Sequence, residues 1–200
     1  MLLYGDGDGR FLRELLLRYP ALELDVLEVD SLAVDALELD ALELDALEVD
    51  TVDSSAAMLR AAEARLPAAS RSRVRFHHAD ALTFTPLGAT YDLVVTHFFF
   101  DCFTPDELRA LIGHIRPHLA PQARWLVSEF AIPERGFPAL GGRLVVALLY
   151  FAFRLLTGLR VTRLPDYPAL LAANGFALLR CKTLLRGLLR SELWSQTHSS

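Results

Sequence analysis

The sequence predicts an α/β fold: a mostly parallel, seven-stranded sheet with helices on both faces and an antiparallel hairpin at the C-terminus. Two observations predict it. Short apolar runs alternate with longer helical patterns along most of the chain, and two extended runs separated by Arg186-Gly187 end it. The 200 residues are 52% hydrophobic and 22% charged, which is typical of one folded domain. We therefore expect a single domain over residues 1–200.

The predicted elements of the first half form a βαβ unit. They are a strand at 2–4, a helix at 10–18, a strand at 49–52 and a helix at 55–65 capped by Ser54 or Ser55. Three further strands are predicted at 74–77, 91–96 and 124–130, with a helix at 105–119. After these come a long apolar helix at 137–156, a short helix at 167–174 closed by Gly175, and the hairpin strands 177–184 and 188–195. This order is typical of a Rossmann-like sheet.

Residues 21–50 break the pattern with a five-residue repeat that carries Asp at every fifth position. The segment holds five Glu and six Asp and no basic residue, so the rest of the chain has 20 basic residues against 14 acidic ones. A period of five matches neither a helix nor a continuous strand. We interpret residues 25–49 as an insertion that expanded the strand ending at Asp53, in preference to a functional repeat or a calcium-binding row. Because like charges repel, we expect the insertion to be exposed or partly disordered.

Composition argues against several classes of function. The basic residues are scattered and form no stripe interleaved with aromatic residues, which argues against nucleic-acid binding. Cys102 and Cys181 lack CxxC spacing, which argues against a disulfide framework and a metal site and is typical of the reducing cytoplasm. The apolar run 144–153 is shorter than the ~20 residues that cross a bilayer, although it could touch a membrane surface or a dimer partner. The start of the chain lacks the features of a signal peptide. We expect a cytoplasmic protein.

A glycine-rich turn, GDGDG at residues 5–9, lies between the first predicted strand and the first helix. Glycines at such a turn let backbone N–H groups approach a ligand closely, and the helix start favours anionic or polar groups. The spacing is GxGxG, whereas dinucleotide-binding turns have GxGxxG. The turn therefore indicates either a nucleotide-like ligand, with a dinucleotide disfavoured, or an ordinary tight turn.

Two acidic residues follow later strands. Asp53 ends the second predicted strand, 44 residues after Gly9; without the 25 residues of the insertion the gap is 19, close to the ~20 expected for an acid that binds ribose hydroxyls. Asp30 lies in a similar Val-Asp-Ser context, but no capped helix follows it. Asp80, in HADAL after the third strand, could accept a hydrogen bond from an exocyclic amine. Both Asp53 and Asp80 could instead be turn or cap residues.

Together, the segments GDGDG, VDSSAAML, HADAL and YDLVVTHFFFDCF resemble class I S-adenosylmethionine-dependent methyltransferases, and the similarity continues to GLLRSELW. Within that superfamily the chain resembles small bacterial enzymes that are distantly similar to the ubiquinone and menaquinone biosynthesis methyltransferases. The resemblance implies S-adenosylmethionine as cofactor and a small-molecule acceptor. It also implies a set of cofactor-binding residues, namely Gly5, Asp6, Gly7, Gly9, Asp53, Ser54, Met58, Asp80, Ala81 and Thr96.

His97 is the candidate general base, since its ordinary pKa lies near neutrality; a structural role is the alternative. Phe98-Phe99-Phe100 and the aromatic residues at 150–153 could form a wall for an apolar or aromatic acceptor or could be ordinary core, and Asp101 and Cys102 could be further contacts.

Two departures from the family affect the expectation of activity. Leu3 stands where the family usually has an acid, a role that Asp6 could take. Members also have helices ahead of the first strand that close the active site, whereas one residue precedes it here; a fragment, a mis-assigned start or an inactive remnant would explain this. A non-catalytic binding or scaffold protein and an NAD-type oxidoreductase are the rival functions.

Overall fold

A computed structural model describes residues 1–18, 47–86, 90–130, 165–184 and 189–197. The predicted helix at 137–156, the aromatic residues at 150–153, the turn at 186–187 and the repeat up to residue 46 lie outside the described residues. The strands are β1 Leu2–Tyr4, β2 Val49–Asp53, β3 Val74–His78, β4 Tyr91–His97, β5 Leu119–Phe130, β6 Phe176–Leu184 and β7 Leu189–Gln196. The helices are α1 Arg10–Arg18, α2 Ala56–Arg65, α3 Pro105–Ile115 and α4 Tyr167–Ala173.

The seven strands form one sheet in the order β3-β2-β1-β4-β5-β7-β6. The pairs among β1 to β5 are parallel, and β7 is antiparallel to both β5 and β6. The predicted fold class, a mostly parallel Rossmann-like sheet with a C-terminal antiparallel hairpin, is confirmed. No helix of the described residues is long and apolar enough to cross a membrane.

Two apolar cores cover the two faces of the sheet. In β4, Leu93 and Val95 belong to one core and Val94 to the other, because successive side chains of a strand point to opposite faces. The apolar face of α1 packs into the first core, and α3 and α4 pack into the second; their buried residues are Phe11, Leu12, Leu15 and Leu16 on α1, Leu108, Leu111, Ile112 and Ile115 on α3, and Tyr167 and Leu171 on α4.

Two element bounds differ from prediction. The helix predicted to run to Leu119 ends at Ile115 and is followed by a 3-10 turn, Arg116–His118. There the chain passes into β5, which begins five residues before the predicted start. The pairing of β4 and β5 is irregular before Arg124, and Gln122 has a φ of 65°. Such a bulge accommodates Pro121, which a regular central strand would exclude.

The last residues of the acidic repeat do not have the exposure expected of it. Leu47 and Val49 are buried in the core beside α1, and Asp50 is only 4% exposed. The expected exposure of the insertion, residues 25–49, was wrong for Leu47 and Val49, because both side chains pack into the core beside α1. Asp50 follows the insertion and belongs to β2. The carboxylate of Asp50 is accommodated by hydrogen-bond donors on β3 and β4.

Candidate active site

The candidate site lies at the carboxyl ends of β1 and β4, where the strand order of the sheet reverses. Strands β2 and β3 continue the sheet on one side of β1, whereas β4 and β5 continue it on the other. The loops that leave β1 and β4 therefore diverge and open a crevice, which is where α/β sheets bind ligands. A cleft of about 360 Å³ occupies this place, within the range of ~300–1,000 Å³ typical of small-molecule sites. Its lining residues are Gly5, Gly7, Val52, Asp53, Ser54, Ala79, Asp80, Ala81, Phe98, Phe99, Cys102 and Phe103.

The glycine turn combines ligand approach with packing. Gly7 has a φ of +58° and lines the cleft, and a Cβ added to it would meet no atom within 4 Å. Gly9 does not line the cleft; a Cβ there would lie 2.5 Å from the Cα of Ala62 in α2. Gly5 lines the cleft and also approaches the carbonyl oxygen of His97. Gly7 thus leaves room for a ligand, whereas Gly9 lets α1 pack closely against α2.

Asp6 lies in the same turn but caps the following helix. Its Oδ1 accepts a hydrogen bond from the N–H of Phe11 and its Oδ2 one from the N–H of Leu12, each at 3.1 Å. The carboxylate thereby satisfies backbone donors at the start of α1, the usual role of an acid before a helix. Asp6 is not among the residues that line the cleft.

Asp53 and Ser54, at the end of β2, line the cleft as neighbours. The N–H of Ser55 donates to Oδ1 of Asp53 at 2.6 Å, which fixes the orientation of the carboxylate. Ser55 caps α2, since its Oγ accepts from the N–H of Met58. Met58 itself is 43% exposed and does not line the cleft.

Asp80 and Ala81, after β3, also line the cleft. Oδ1 of Asp80 accepts from the N–H of Leu82 at 2.9 Å, and its carbonyl oxygen accepts from the N–H groups of Thr83 and Phe84. Asp80 is therefore the turn residue that the alternative interpretation expected, and its position in the cleft is compatible with ligand binding as well.

The segment after β4 forms an aromatic wall, which we define as Phe98, Phe99 and Phe103. Phe98 is 40% exposed and has a φ of 47°, a backbone conformation that bulky residues rarely adopt. The ring of Phe99 stacks on Tyr4 at 5.2 Å between centroids, and Phe103 meets Phe99 edge-on at 4.9 Å. Cys102 lines the cleft beside them.

Thr96 and His97 are buried at the end of β4 and do not line the cleft. Oγ1 of Thr96 donates to the carbonyl oxygen of Leu126 at 3.4 Å and accepts from Nε1 of Trp125 at 3.2 Å. The ring of His97 lies 4.2 Å from that of Phe11 on α1. Burial lowers the pKa of His97 to about 4, so its imidazole is neutral at pH 7. The geometry does not bring the candidate base to the cleft.

The sequence interpretation overlooked several residues of this region. Val52 and Ala79 line the cleft next to the predicted acids Asp53 and Asp80. Their positions at the ends of predicted strands could have identified them. Phe103 completes the aromatic wall. Glu129, near the end of β5, is 1% exposed and accepts hydrogen bonds from the N–H groups of Phe99 and Phe100. An acid within the apolar strand sequence LVSEF was the signal that could have identified it.

This arrangement suits an uncharged or cationic ligand with hydroxyl and amino groups. Two carboxylates, Asp53 and Asp80, line the cleft as hydrogen-bond acceptors, and the phenyl rings of the aromatic wall supply apolar surface. Among the lining residues of the described chain there is no His, Lys or Arg, so the described cleft lacks the positive charges with which proteins usually bind phosphate groups.

A family model described as a methyltransferase domain matches residues 34–122, a segment that contains Asp53, Asp80, Thr96 and His97 but begins after the glycine turn. No curated protein matches the chain.

Solved structures share the fold. LepI in complex with S-adenosylmethionine superposes with a TM-score of 0.65 at 15% identity, over 99% of this chain and 43% of LepI. The mitomycin 7-O-methyltransferase MmcR gives 0.67 at 18% identity, over 98% of this chain and 48% of MmcR. The N-methyltransferase NodS from Bradyrhizobium japonicum WM9 gives 0.59 at 12% identity, over 98% of this chain and 85% of NodS.

This chain thus spans less than half the length of LepI and of MmcR. At these identities the superpositions show a shared fold. The chain therefore has the fold of these enzymes, and its residues 34–122 match a methyltransferase domain.

Proposed function

We propose that this chain binds S-adenosylmethionine in the cleft and transfers its methyl group to a small apolar or aromatic acceptor. The observation that carries the proposal is the convergence of Gly7, Asp53 and Asp80 on one cleft at the reversal of strand order. These residues lie at or just after the carboxyl ends of three strands, β1, β2 and β3. Together they suit an adenosine, since the glycine turn offers backbone and open space and the two carboxylates can accept hydrogen bonds from hydroxyl and amino groups.

The residues of the cleft fit this cofactor. An added Cβ at Gly7 would enter open space in the cleft, so the glycine leaves that volume to a ligand. The anchored carboxylate of Asp53 would accept hydrogen bonds from both ribose hydroxyls, and Asp80 with Ala81 would lie beside the adenine. S-adenosylmethionine supplies an electrophilic methyl group when bound.

The chain's own contribution is positioning. In-line transfer needs an oriented acceptor and a site that excludes water, and both can supply much of the rate without an acid-base residue. The aromatic wall would hold an apolar or aromatic acceptor against the cofactor. An acceptor of the quinone-precursor type would agree with the resemblance to ubiquinone and menaquinone enzymes.

Calorimetric titration of the full chain with S-adenosylmethionine and with its demethylated product tests the cofactor. We expect both to bind. Asp53→Asn should weaken binding at least about tenfold, because hydrogen bonds to a charged acceptor contribute about 1.5–3 kcal/mol. Asp106→Asn is the matched control, since the Asp106 side chain is 92% exposed on α3; its affinity should equal that of the wild type. Absence of binding, or binding of NAD instead, would overturn the proposal.

The acceptor class is tested with the same protein and a radiolabelled methyl donor. We expect label to enter small phenols and hydroquinones and to leave aliphatic polyols unlabelled. Label transferred to polyols alone would contradict the role given to the aromatic wall, while leaving cofactor binding intact.

A further inference from the structure

Glu129 is a buried acid of the described chain that reaches the aromatic wall without lining the cleft. It is the last residue but one of β5 and is 1% exposed. Its Oε1 accepts hydrogen bonds from the N–H of Phe99 at 2.8 Å and from the N–H of Phe100 at 2.7 Å. One carboxyl oxygen therefore holds two consecutive backbone groups of the segment that carries the wall.

These two N–H groups need an acceptor because the chain leaves the sheet at this point. The N–H of Phe98 still donates to the carbonyl oxygen of Ser128 on β5, at 2.8 Å. At Phe98 the backbone takes a positive φ and then enters a 3-10 turn, Phe100–Cys102. Backbone donors buried without partners cost about 1–3 kcal/mol each. The side chain of Glu129 replaces the main-chain acceptor that a longer strand would have provided.

The surroundings make this carboxyl unusual. Burial is the main cause that raises the pKa of Glu129 to about 8, and the carboxylate of Asp101 adds to it, although the two N–H groups act in the opposite direction. Arg190 lies opposite Glu129 in the backbone register of β5 and β7, and its guanidinium forms an ion pair with the buried Glu192. Tyr167 on α4 also faces this group of charges.

We propose that Glu129 is a positioning residue: by holding the backbone of Phe99 and Phe100, it sets the place of the aromatic wall and hence the shape of the cofactor cleft. The inference rests on the proposed function in one respect, since the affinity for S-adenosylmethionine is used to measure the shape of the cleft. The hydrogen bonds themselves can be tested without any ligand.

The first experiment follows the backbone amides of Phe99 and Phe100 by NMR in the full chain between pH 6.5 and 9.5. In the wild type both amide protons should shift as Glu129 ionises near pH 8 and should move downfield, because a carboxylate is the stronger acceptor. In Glu129→Gln, which keeps a carbonyl acceptor but cannot ionise, the shift should vanish. Glu63→Gln, on the exposed surface of α2, should behave as the wild type. Amides of Phe99 and Phe100 that have the same chemical shifts in the wild type and in Glu129→Gln throughout this pH range would overturn the proposed contact.

The second experiment measures the affinity for S-adenosylmethionine by calorimetry at pH 7. The affinity of Glu129→Gln for S-adenosylmethionine should lie within about threefold of that of the wild type. Glu129→Leu removes the acceptor, and its affinity should be at least about tenfold lower, which corresponds to about 1.4 kcal/mol. Equal affinity of the Leu variant would overturn the positioning role. If Glu129→Leu does not fold, the amide titration of the Gln variant still decides the contact. A wild type that titrates near pH 8 but binds no S-adenosylmethionine would refute the proposed function and, with it, the positioning of a cofactor cleft, while the two hydrogen bonds would stand.

Discussion

The side chain of His97 shows how burial alone can fix the charge of a residue. Its Nε2 has no hydrogen-bond partner among the described residues, and desolvation lowers its pKa from 6.5 to about 4. A proton is therefore bound more weakly in the folded chain than in the unfolded one. Between pH 6.5 and 4 the unfolded state gains a proton that the folded state does not, so stability is lost as the pH falls.

This sign gives a testable pH dependence. Between pH 7 and 4.5 the free energy of unfolding of the wild type should fall by roughly 2 kcal/mol more than that of His97→Phe, from about 1.4 kcal/mol per pKa unit. Urea unfolding at the two pH values measures it. His118→Phe, at a half-buried site, should retain the wild-type dependence. Parallel curves for the wild type and His97→Phe would mean that the folded chain protonates His97 as readily as the unfolded one.

At the scale of elements, Asp50 connects three strands near their amino ends, at the end of the sheet opposite the cleft. Its carboxylate accepts from Nε and Nη2 of Arg75 at 2.8 Å, contacts Nε2 of His77 at 2.6 Å and accepts from the hydroxyl of Tyr91 at 3.0 Å. Burial opposes ionisation, but these hydrogen bonds outweigh it and hold the pKa of Asp50 well below its usual range. The contact joins β2 to β3 and β4.

We expect Asp50→Asn to lower the free energy of unfolding by about 2–3 kcal/mol at pH 7, because it removes a buried charged acceptor from the buried hydroxyl of Tyr91, the half-buried His77 and the more exposed Arg75. Glu48→Gln is the matched control: Glu48 also pairs with Arg75, at 2.9 Å, but its side chain is 68% exposed. Exposed ion pairs contribute about 0–1 kcal/mol, so this variant should unfold almost as the wild type does. Equal losses in urea unfolding would refute the difference between the two acids.

The sequence predicted the strands and helices well where an apolar pattern matched one secondary structure. The bounds of β1 and α1 agree with the prediction, because an apolar run and an amphipathic helix flank a glycine turn. Asp50 was missed since its repeat looks like a solvated segment, and only the tertiary pairing with Arg75 shows its burial. The early start of β5 was missed, and Pro121 is a residue that regular central strands exclude.

The candidate site was predictable because the carboxyl ends of parallel strands lie at the same end of a sheet. Gly7, Asp53 and Asp80 each follow such a strand, so their meeting at one cleft follows from topology. The position of His97 outside the cleft could not be predicted from the topology. The backbone of Phe98 has a positive φ, which turns the chain so that Phe98 and Phe99 line the cleft and His97 does not. Backbone conformation at a single residue is decided by contacts that the sequence does not show.

At the scale of the whole molecule, the sheet should be unequally stable from centre to edge. Strands β1 and β4 are paired on both sides and covered by a core on each face, and Leu2, Leu3, Val94 and Val95 are fully buried. Among the described residues β6 ends the sheet, and its residues 177–183 are exposed. Strands with few buried contacts open locally at low free energy, whereas central strands open only when the domain unfolds.

Amide hydrogen exchange should reveal this gradient. The amides of β1 and β4 should exchange with the free energy that urea unfolding gives for the whole domain. Amides of β6 that pair with β7 should exchange at least about a hundredfold faster, through opening of the edge, and those that face away from β7 should be the fastest of all. In Asp50→Asn, the free energy of exchange of the β1 and β4 amides should fall by as much as the free energy of unfolding does. Exchange of the β6 amides should remain almost unchanged, because β6 lies at the far end of the sheet from β2. Equal protection of β6 and β4 would mean that the outer side of β6 is covered in the intact protein and that the sheet opens as one unit.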